Sequence, residues 1–295
     1  MLLTYFWTQI PWYLLAPAAG YCPALYGSLQ HEAIHGHPTS SRRINLALVW
    51  MPLSLWMPLS VYESTHKAHH LNELTTPGVD PESWYVPSAA WRRLSGPARW
   101  LLRVNNTFAG RMIVGPWIAT WQCWSTLIAE LVRHGRHAGT IAAHAVGVAA
   151  VMYWVIEVCA MPAWFYVLVF MWPGMSLSRV RSFAEHRYHP SPERRTAVVR
   201  GGVLTRLMFL NNNFHVVHHR HPSLPRVPIP AAYRREAAVG EDDFVFAGYG
   251  DIVRRYLLTP RTSPEFPGDV PADSDSARRR QQRRVPPAAV VSTQR

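Results

Sequence analysis

The clearest apolar feature of the chain is Thr140–Val180, which reads TIAAHAVGVAAVMYWVIEVCAMPAWFYVLVFMWPGMSLSRV. It holds enough apolar residues for about two membrane-spanning helices of about 20 residues each. Met161 and Pro162 lie near its middle and are expected to form the turn. Arginines flank both ends, namely Arg133, Arg136, Arg179 and Arg181. Because Lys and Arg collect on the cytoplasmic side of spans, the sequence predicts a helical hairpin with both ends in the cytoplasm.

Three shorter apolar stretches precede this hairpin. Phe6–Leu29 contains three prolines, which membrane helices tolerate when neighbours satisfy the freed carbonyls, and it is predicted to be a membrane helix. Ile44–Val61 is short and broken by two prolines, so we expect it to lie in the interface rather than to cross. Met112–Leu131 is rich in tryptophan and interrupted by polar residues, and we expect it to lie along the membrane surface.

Composition and charge agree with a membrane protein. Hydrophobic residues make up 48% of the chain and charged residues only 16%, below the roughly 25% of an ordinary soluble domain. The net charge is +12, and the arginines lie beside the apolar stretches and in the C-terminal tail, which favours a cytoplasmic membrane face. No nucleic-acid-binding module is evident. Residues 1–258 are predicted to form one membrane domain, and the Pro-, Ser- and Arg-rich residues 259–295 a disordered basic tail.

The cysteine pattern excludes two kinds of site. The three cysteines, Cys22, Cys123 and Cys159, are far apart and none belongs to a CxxC pair. A disulfide framework is therefore not expected, and no iron–sulfur cluster is encoded.

Three groups of histidines stand next to the apolar stretches. The first has the spacing HxxxH, and the other two have the spacing HxxHH. Their members are His31 and His35; His66, His69 and His70; and His215, His218 and His219. On a helix, residues three or four apart lie along one side. Each group can therefore present several imidazoles from one rigid element.

Clustered imidazoles point to metal binding. Neutral histidine is a good ligand for iron, copper, zinc and nickel. A single zinc ion takes about four ligands, whereas these groups supply eight histidines, which suits a pair of metal ions. One HxxxH group alone would be weak evidence, and the repeated HxxHH spacing carries the prediction. The carboxylate-rich di-iron pattern of four-helix bundles is absent.

The order of these groups resembles the membrane fatty acid desaturase and hydroxylase superfamily. The matching text is HEAIHGHP at 31–38, HKAHH at 66–70 with DPES at 80–83, and NNNFHVVHH at 211–219. The resemblance covers roughly residues 20–235. It implies an all-α, integral membrane helical bundle with a cytosolic histidine-rich cap. It also implies two iron ions, O₂ as co-substrate, and an external electron donor of the ferredoxin, rubredoxin or cytochrome type.

The resemblance also implies a set of metal ligands. In this superfamily the histidines of the three groups are ligands, and one further histidine follows the last membrane hairpin, where this chain has His186. An asparagine can join through water, and Asn212 or Asn213 matches it. Asp80, Glu185 and Glu32 are carboxylates that can orient the ligand imidazoles. The superfamily has more membrane-embedded chain before the first group, and a missing upstream helix would explain the difference.

The predicted activity is the introduction of a double bond into an acyl lipid, acyl-CoA or acyl-carrier substrate. The DPES text favours this reaction. A hydroxylase or ketolase acting on an alkane, carotenoid or other lipid would use the same site and is the alternative. A membrane metal carrier is disfavoured because the histidines lie outside the apolar cores. The acyl chain would enter an apolar channel, for which the candidate lining residues are Trp50, Trp56, Trp117 and Trp121.

Overall fold

A computed structural model describes residues 1–237 and 244–268 of the chain, and helices dominate it. The α-helices are α1 (Leu2–Tyr5), α2 (Trp12–Ile34), α3 (Arg42–Leu48), α4 (Leu59–Leu71), α5 (Ser88–Arg93), α6 (Gly96–Asn105), α7 (Phe108–Ile113), α8 (Gly115–His134), α9 (Ala138–Tyr153), α10 (Ala163–Phe165), α11 (Trp172–Glu185), α12 (Val203–Met208), α13 (His215–Arg220), α14 (Ile229–Ala237) and α15 (Tyr249–Tyr256). The remaining elements are the π-helical segments Trp154–Val158 and Tyr166–Met171, the 3-10 turn Pro192–Arg194, and the strands β1 (Val198–Val199) and β2 (Val245–Phe246). The mostly helical fold predicted from the sequence is confirmed. The departure from all-α is small, because β1 and β2 form one short parallel pair.

The predicted hairpin is present. Its first arm is α9 continued by the π-helical segment to Val158, and its second arm runs without a break from Ala163 to Glu185. Pro162 ends the turn in an extended conformation and starts the second arm, as its missing N–H allows. Within residues 1–237 and 244–268, one helix is long and apolar enough to cross a membrane, the segment Ala138–Val158. A bundle of several spans is therefore not confirmed by helix length and composition.

Helix α2 forms the centre of the fold with α11. Small residues let the two helices approach closely, since a Cβ on Gly174 would lie 2.6 Å from the Cβ of Pro23. Pro17 and Pro23 lie inside α2 and do not end it. The helix continues past the predicted apolar stretch to Ile34, so that His31 belongs to the same rigid element. Side chains of α2, of both hairpin arms and of the turn between the arms form an apolar core: Leu15, Ala19, Val151, Val155, Cys159, Met161, Tyr166 and Phe170.

The stretch Ile44–Val61 is not a continuous helix. Helix α3 ends at Leu48, and α4 begins only at Leu59. The loop between them is attached to α2, because Gln30 donates to the Val49 carbonyl at 3.1 Å and Tyr26 to the Met51 carbonyl at 2.8 Å. The chain therefore turns back along α2 instead of running away from it.

The third apolar stretch, Met112–Leu131, corresponds to most of the 20-residue helix α8. The helix ends at Gly135, whose left-handed φ of 65° suits a residue without a Cβ. Trp117 and Trp121 are exposed on its outer face. Its position along a membrane surface stays a prediction.

The C-terminal segment differs from the prediction of a disordered tail that begins at residue 259. Residues 261–268 lie against the domain, where Val86 donates to the Pro264 carbonyl at 2.8 Å and Phe266 donates to the Val86 carbonyl at 2.9 Å. Phe266 is buried between Tyr85 and Tyr188. The apolar ring of Phe266 explains the difference, because it gives an otherwise polar segment something to bury. The rest of the predicted tail, residues 269–295, lies outside the described residues.

Candidate metal centre

Nine histidines from four parts of the chain meet in two compact sets. The first set consists of His31, His35, His66, His70 and His218, and the second consists of His69, His186, His215 and His219. Within each set, nitrogen atoms able to bind a metal all lie within 4.8 Å of one another. These are the nine histidines predicted as ligands, and the structure brings all of them together.

The HxxHH groups divide between the two sets in a regular way. In α4, His66 and His70 belong to the first set, and His69 belongs to the second. In α13 the order is reversed, since His215 and His219 belong to the second set and His218 to the first. The first and last histidines of an HxxHH group are four residues apart and lie one above the other on the helix, whereas the middle histidine is rotated away from that line. Each helix therefore contributes to both sets.

The spacing of the Nε2 atoms fits metal ions. Those of His35 and His70 lie 3.0 and 3.1 Å from that of His66, and those of His69 and His215 both lie 3.1 Å from that of His186. A metal–imidazole bond is about 2.1 Å long, so two nitrogens at right angles on one ion lie about 3.0 Å apart. The sets therefore have the dimensions of coordination shells.

The partners of the Nδ1 atoms fix which nitrogen carries the proton. His66 Nδ1 lies 2.9 Å from a Glu82 oxygen, and His69 Nδ1 lies 2.8 Å from an Asp80 oxygen. An ionised carboxylate only accepts, so Nδ1 donates and Nε2 of the neutral ring presents a lone pair. Lone pairs that face each other at about 3 Å repel unless a cation lies between them. The donor set therefore fits metal binding in chemistry as well as in size.

Burial favours the neutral, ligating form of most of these rings. Burial, followed by the neighbouring His66, lowers the pKa of His35 to about 3 and that of His70 to about 2. His69 is different: burial alone would lower its pKa, but Glu82 and Asp80 outweigh burial and raise it to about 9. The carboxylates thus favour positive charge at His69, and a metal ion bound to its Nε2 would supply that charge.

The structure distinguishes the two candidate asparagines. Asn212 is buried between the sets, where its Oδ1 lies 2.9 Å from His215 Nδ1 and its Nδ2 lies 3.2 Å from His31 Nε2. Asn213 points away and donates to the Val199 carbonyl at 2.7 Å. Asn212 therefore belongs to the centre, and the contact of Asn213 with β1 is structural.

The candidate carboxylates differ in how closely they approach. Asp80 bonds directly to His69, and Glu185 Oε1 lies 3.3 Å from His215 Nδ1 and 2.9 Å from Arg181. Glu32 is 3.9 Å from His31 Nδ1, which is too long for a hydrogen bond. The partner that sequence reasoning missed is Glu82. It lies two residues after Asp80 in the quoted DPES text, and that short spacing was the available signal.

His186 reaches the centre because α11 ends one residue before it. The backbone of His186 is extended, with φ −129° and ψ 140°, and pairs with Thr196 in an isolated bridge. Arg261 from the C-terminal segment donates to the carbonyls of Ala184 and His186. The segment that follows the predicted domain boundary thus holds the backbone of a site residue.

A cavity of about 820 Å³ leads to the second set of histidines. It is lined by His186 and Glu185 at one part and by apolar residues such as Leu55, Met57 and Met175 at another. Of the four candidate channel tryptophans, Trp56 lines the cavity. Trp84, which was not a candidate, lines it as well. Trp50, Trp117 and Trp121 are not part of its lining and are exposed instead.

The comparisons with known proteins agree with this geometry. A search of the curated proteins found no match. The family model described as "Fatty acid desaturase" matches residues 8–247, which include all nine clustered histidines and most of the described helices. The chain belongs to the fatty acid desaturase family.

Proposed function

We propose that this chain is a membrane-bound desaturase that uses two iron ions and O₂ to introduce a double bond into an acyl chain. The observation that supports it most is the pair of all-histidine sets with facing Nε2 atoms. The nine histidines are the proposed ligands: His31, His35, His66, His70 and His218 for one ion, and His69, His186, His215 and His219 for the other. An acyl lipid, acyl-CoA or acyl-carrier substrate and an external electron donor complete the proposal.

The iron pair supplies the oxygen activation needed to remove hydrogen from an unactivated C–H bond. The protein's part is to fix geometry. Glu82 and Asp80 hold the rings of His66 and His69 through Nδ1, so that both Nε2 lone pairs point inward. Asn212 contacts one histidine of each set and so helps to fix the position of one set relative to the other.

The cavity suits an acyl chain. Its volume of about 820 Å³ lies within the range of about 300–1,000 Å³ that is usual for small-molecule sites. Apolar residues on α8 and on the loop before α4 line it, and so does His186 of the histidine centre. A chain bound there displaces water and brings one of its C–H bonds to the histidine centre.

Membrane attachment is part of the proposal. The segment Ala138–Val158 is 21 residues long with a mean hydropathy of 1.8, and a helix of that length covers about 30 Å. The exposed apolar side chains of α8 extend the same character: Trp117, Trp121, Ile128 and Val132. We propose that the histidine centre faces the cytoplasm, because Arg133 and Arg136 lie just before this segment.

The direct test combines metal analysis with lipid profiling. We expect the purified chain to contain about two iron ions, and cells that express it to gain an unsaturated product. His218→Ala removes one proposed ligand, and we expect the amount of unsaturated product to fall at least about 100-fold. Loss of a residue that only hydrogen-bonds a ligand costs up to about 100-fold, and loss of the ligand itself should cost no less. His134→Ala is the matched control, since His134 is exposed on α8 and belongs to neither set.

Other outcomes would contradict the proposal in different ways. A product heavier by one oxygen atom would identify a hydroxylase with the same centre. A protein that contains one zinc ion and no iron would overturn the metal assignment. Equal amounts of product from His218→Ala and His134→Ala would show that the reaction does not depend on the histidine sets.

A further inference from the structure

Three arginines of the cavity are not used by the histidine centre. Arg111, Arg179 and Arg261 line the cavity, and among residues 1–237 and 244–268 none of them has a carboxylate oxygen within 4.0 Å. Positive charge inside a protein is costly unless it is paired. Three unpaired guanidinium groups around one cavity therefore need an explanation.

The carboxylates of the cavity do not pair with these three arginines, because each carboxylate contacts another basic side chain. Four acidic residues line the cavity, and each has a different basic partner: Asp80 with His69, Glu82 with His66, Glu130 with Arg136, and Glu185 with Arg181. Because the ligating form of His66 is neutral, Glu82 keeps one negative charge, which attracts Arg179 without forming an ion pair. That single charge does not offset three guanidinium groups.

Arg111 is held in place with one donor to spare. It is 3% exposed, and it donates from Nε to the Asn105 carbonyl at 2.9 Å and from Nη2 to Asn106 Oδ1 at 3.3 Å. Its Nη1 is buried and has no hydrogen-bond partner. A fixed guanidinium at the wall of a cavity, with one nitrogen unsatisfied, gains free energy from an acceptor that reaches it.

Trp84 brings Arg179 next to Arg111. The guanidinium carbon of Arg111 lies 4.1 Å from the centre of the Trp84 ring, and that of Arg179 lies 5.5 Å from the same ring. Arg179 also lies 5.0 Å from the ring centre of Trp56. Aromatic faces attract these cations but offer no lone pair to their N–H groups. Among the described residues the guanidinium of Arg179 has no hydrogen-bond partner, and that of Arg111 has one unpartnered nitrogen, Nη1, so both have donors left for an oxygen ligand.

Arg261 links this cluster to the histidine centre. Its Nη1 donates to the Ala184 carbonyl at 3.3 Å, and its Nη2 donates to the His186 carbonyl. The three arginines repel one another: burial, and then Arg179 and Arg261, hold the pKa of Arg111 well below its usual range. An anion among them would remove this repulsion.

We propose that Arg111 and Arg179 bind the anionic end of the substrate inside the cavity, with Arg261 contributing charge from the side of His186. The ligand is an amphiphile with an acyl-length apolar chain and a carboxylate or phosphate ester at its end. That this amphiphile is also the molecule that reacts rests on the proposed function. With the charged end fixed, the reacting carbons lie at a set distance from it.

The test is equilibrium binding to the purified full chain in nanodiscs of uncharged lipid. The probes are radiolabelled dodecanoate, dodecyl phosphate and dodecan-1-ol, which share a chain length and differ in the end group. The variant is Arg179→Gln, because its guanidinium makes aromatic contacts and its loss leaves no buried acid unpaired. The matched control is Arg103→Gln, since exposed Arg103 also lies on a tryptophan, 5.6 Å from the ring centre of Trp91, but does not line the cavity.

We expect at least one anionic probe to bind wild type about ten- to a hundredfold more tightly than dodecan-1-ol, as one or two charge-assisted hydrogen bonds provide. Arg179→Gln should lose that advantage and still bind dodecan-1-ol, whereas Arg103→Gln should keep it. Preference for dodecanoate identifies a carboxylate, and preference for dodecyl phosphate a phosphate ester. Equal affinity of wild type for all three probes overturns the proposal, even if the variant does not fold. Binding is measured without turnover, so this test is independent of the proposed desaturase activity. An anion site that depends on Arg179 would be supported even if the chain is not a desaturase, and a desaturase that lacks this anion site would also be recognised.

Discussion

At the scale of single residues, the centre depends on which nitrogen of each histidine faces inward. Glu82 and Asp80 set this for two rings of α4, and Asn212 sets it for His215. The carboxylates act at a distance of one ring from the proposed metal. Their removal leaves the ligands in place but lets the imidazoles rotate or change tautomer.

The consequence is testable at Glu82. We expect Glu82→Ala to lower the affinity for iron about 10- to 100-fold, because His66 loses the acceptor at 2.9 Å that orients it. The measurement is iron retained by the purified protein during titration with a chelator. Glu193→Ala is the control, since Glu193 is an exposed acid of the turn at 192–194 and lies outside the centre. Equal iron retention by the two variants would show that Glu82 does not support the ligand.

At the scale of helices, the contact of α2 with α11 aligns two of the elements that carry site histidines. His31 lies near the end of α2, and His186 follows α11 directly. Gly20 lies against Pro173, where a Cβ would be 3.1 Å from that of the proline, and Gly174 lies against Pro23. Because each glycine packs directly on a proline ring of the other helix, a small change in packing there moves both histidines.

We therefore expect Gly174→Ala to destabilise the protein by about 1–3 kcal/mol, the usual cost of overpacking. The added Cβ would lie 2.6 Å from that of Pro23 and 3.4 Å from the Gly20 carbonyl oxygen, so the helices must separate. The apparent Tm of purified protein should fall by several degrees. Gly139→Ala is the control, because Gly139 lies in α9 with open space around it and alanine favours the helix. A Tm for Gly174→Ala at or above that of wild type would contradict the close contact.

At the scale of the whole molecule, both ends of Ile44–Val61 return to one site. His35 and His66 stand on either side of this stretch, and their Nε2 atoms are 3.0 Å apart. The condition set by the sequence, that this stretch must not separate the first two histidine groups, is therefore met. The hairpin leaves from the same region, because its second arm ends at Glu185 beside His186.

This arrangement predicts the sidedness of labelling in the membrane. Ser40, Gly139 and Ala163 are exposed and can each be replaced by a single cysteine. The background is a chain in which the three native cysteines are replaced. We expect Ser40→Cys and Gly139→Cys to react with an impermeant maleimide only from the cytoplasmic side. Ala163→Cys, at the hairpin tip, should react only from the other side. Labelling of all three from one side would show that the hairpin does not cross.

The local pattern of the sequence determined the composition of the centre, and the tertiary structure decided its arrangement. Helical spacing identified eight histidines, and the family resemblance added His186, because both depend on residues close in the chain or on a known order of motifs. The division into five and four histidines, the roles of Asn212 and Glu82, and the contact of Arg261 with His186 depend on how helices cross and where loops return. The contacts of the segment after residue 259 were not predictable for a similar reason: whether Phe266 is buried depends on the tyrosines it meets. The arginine cluster likewise comes from three distant segments, and no local spacing relates Arg111 to Arg179 or Arg261.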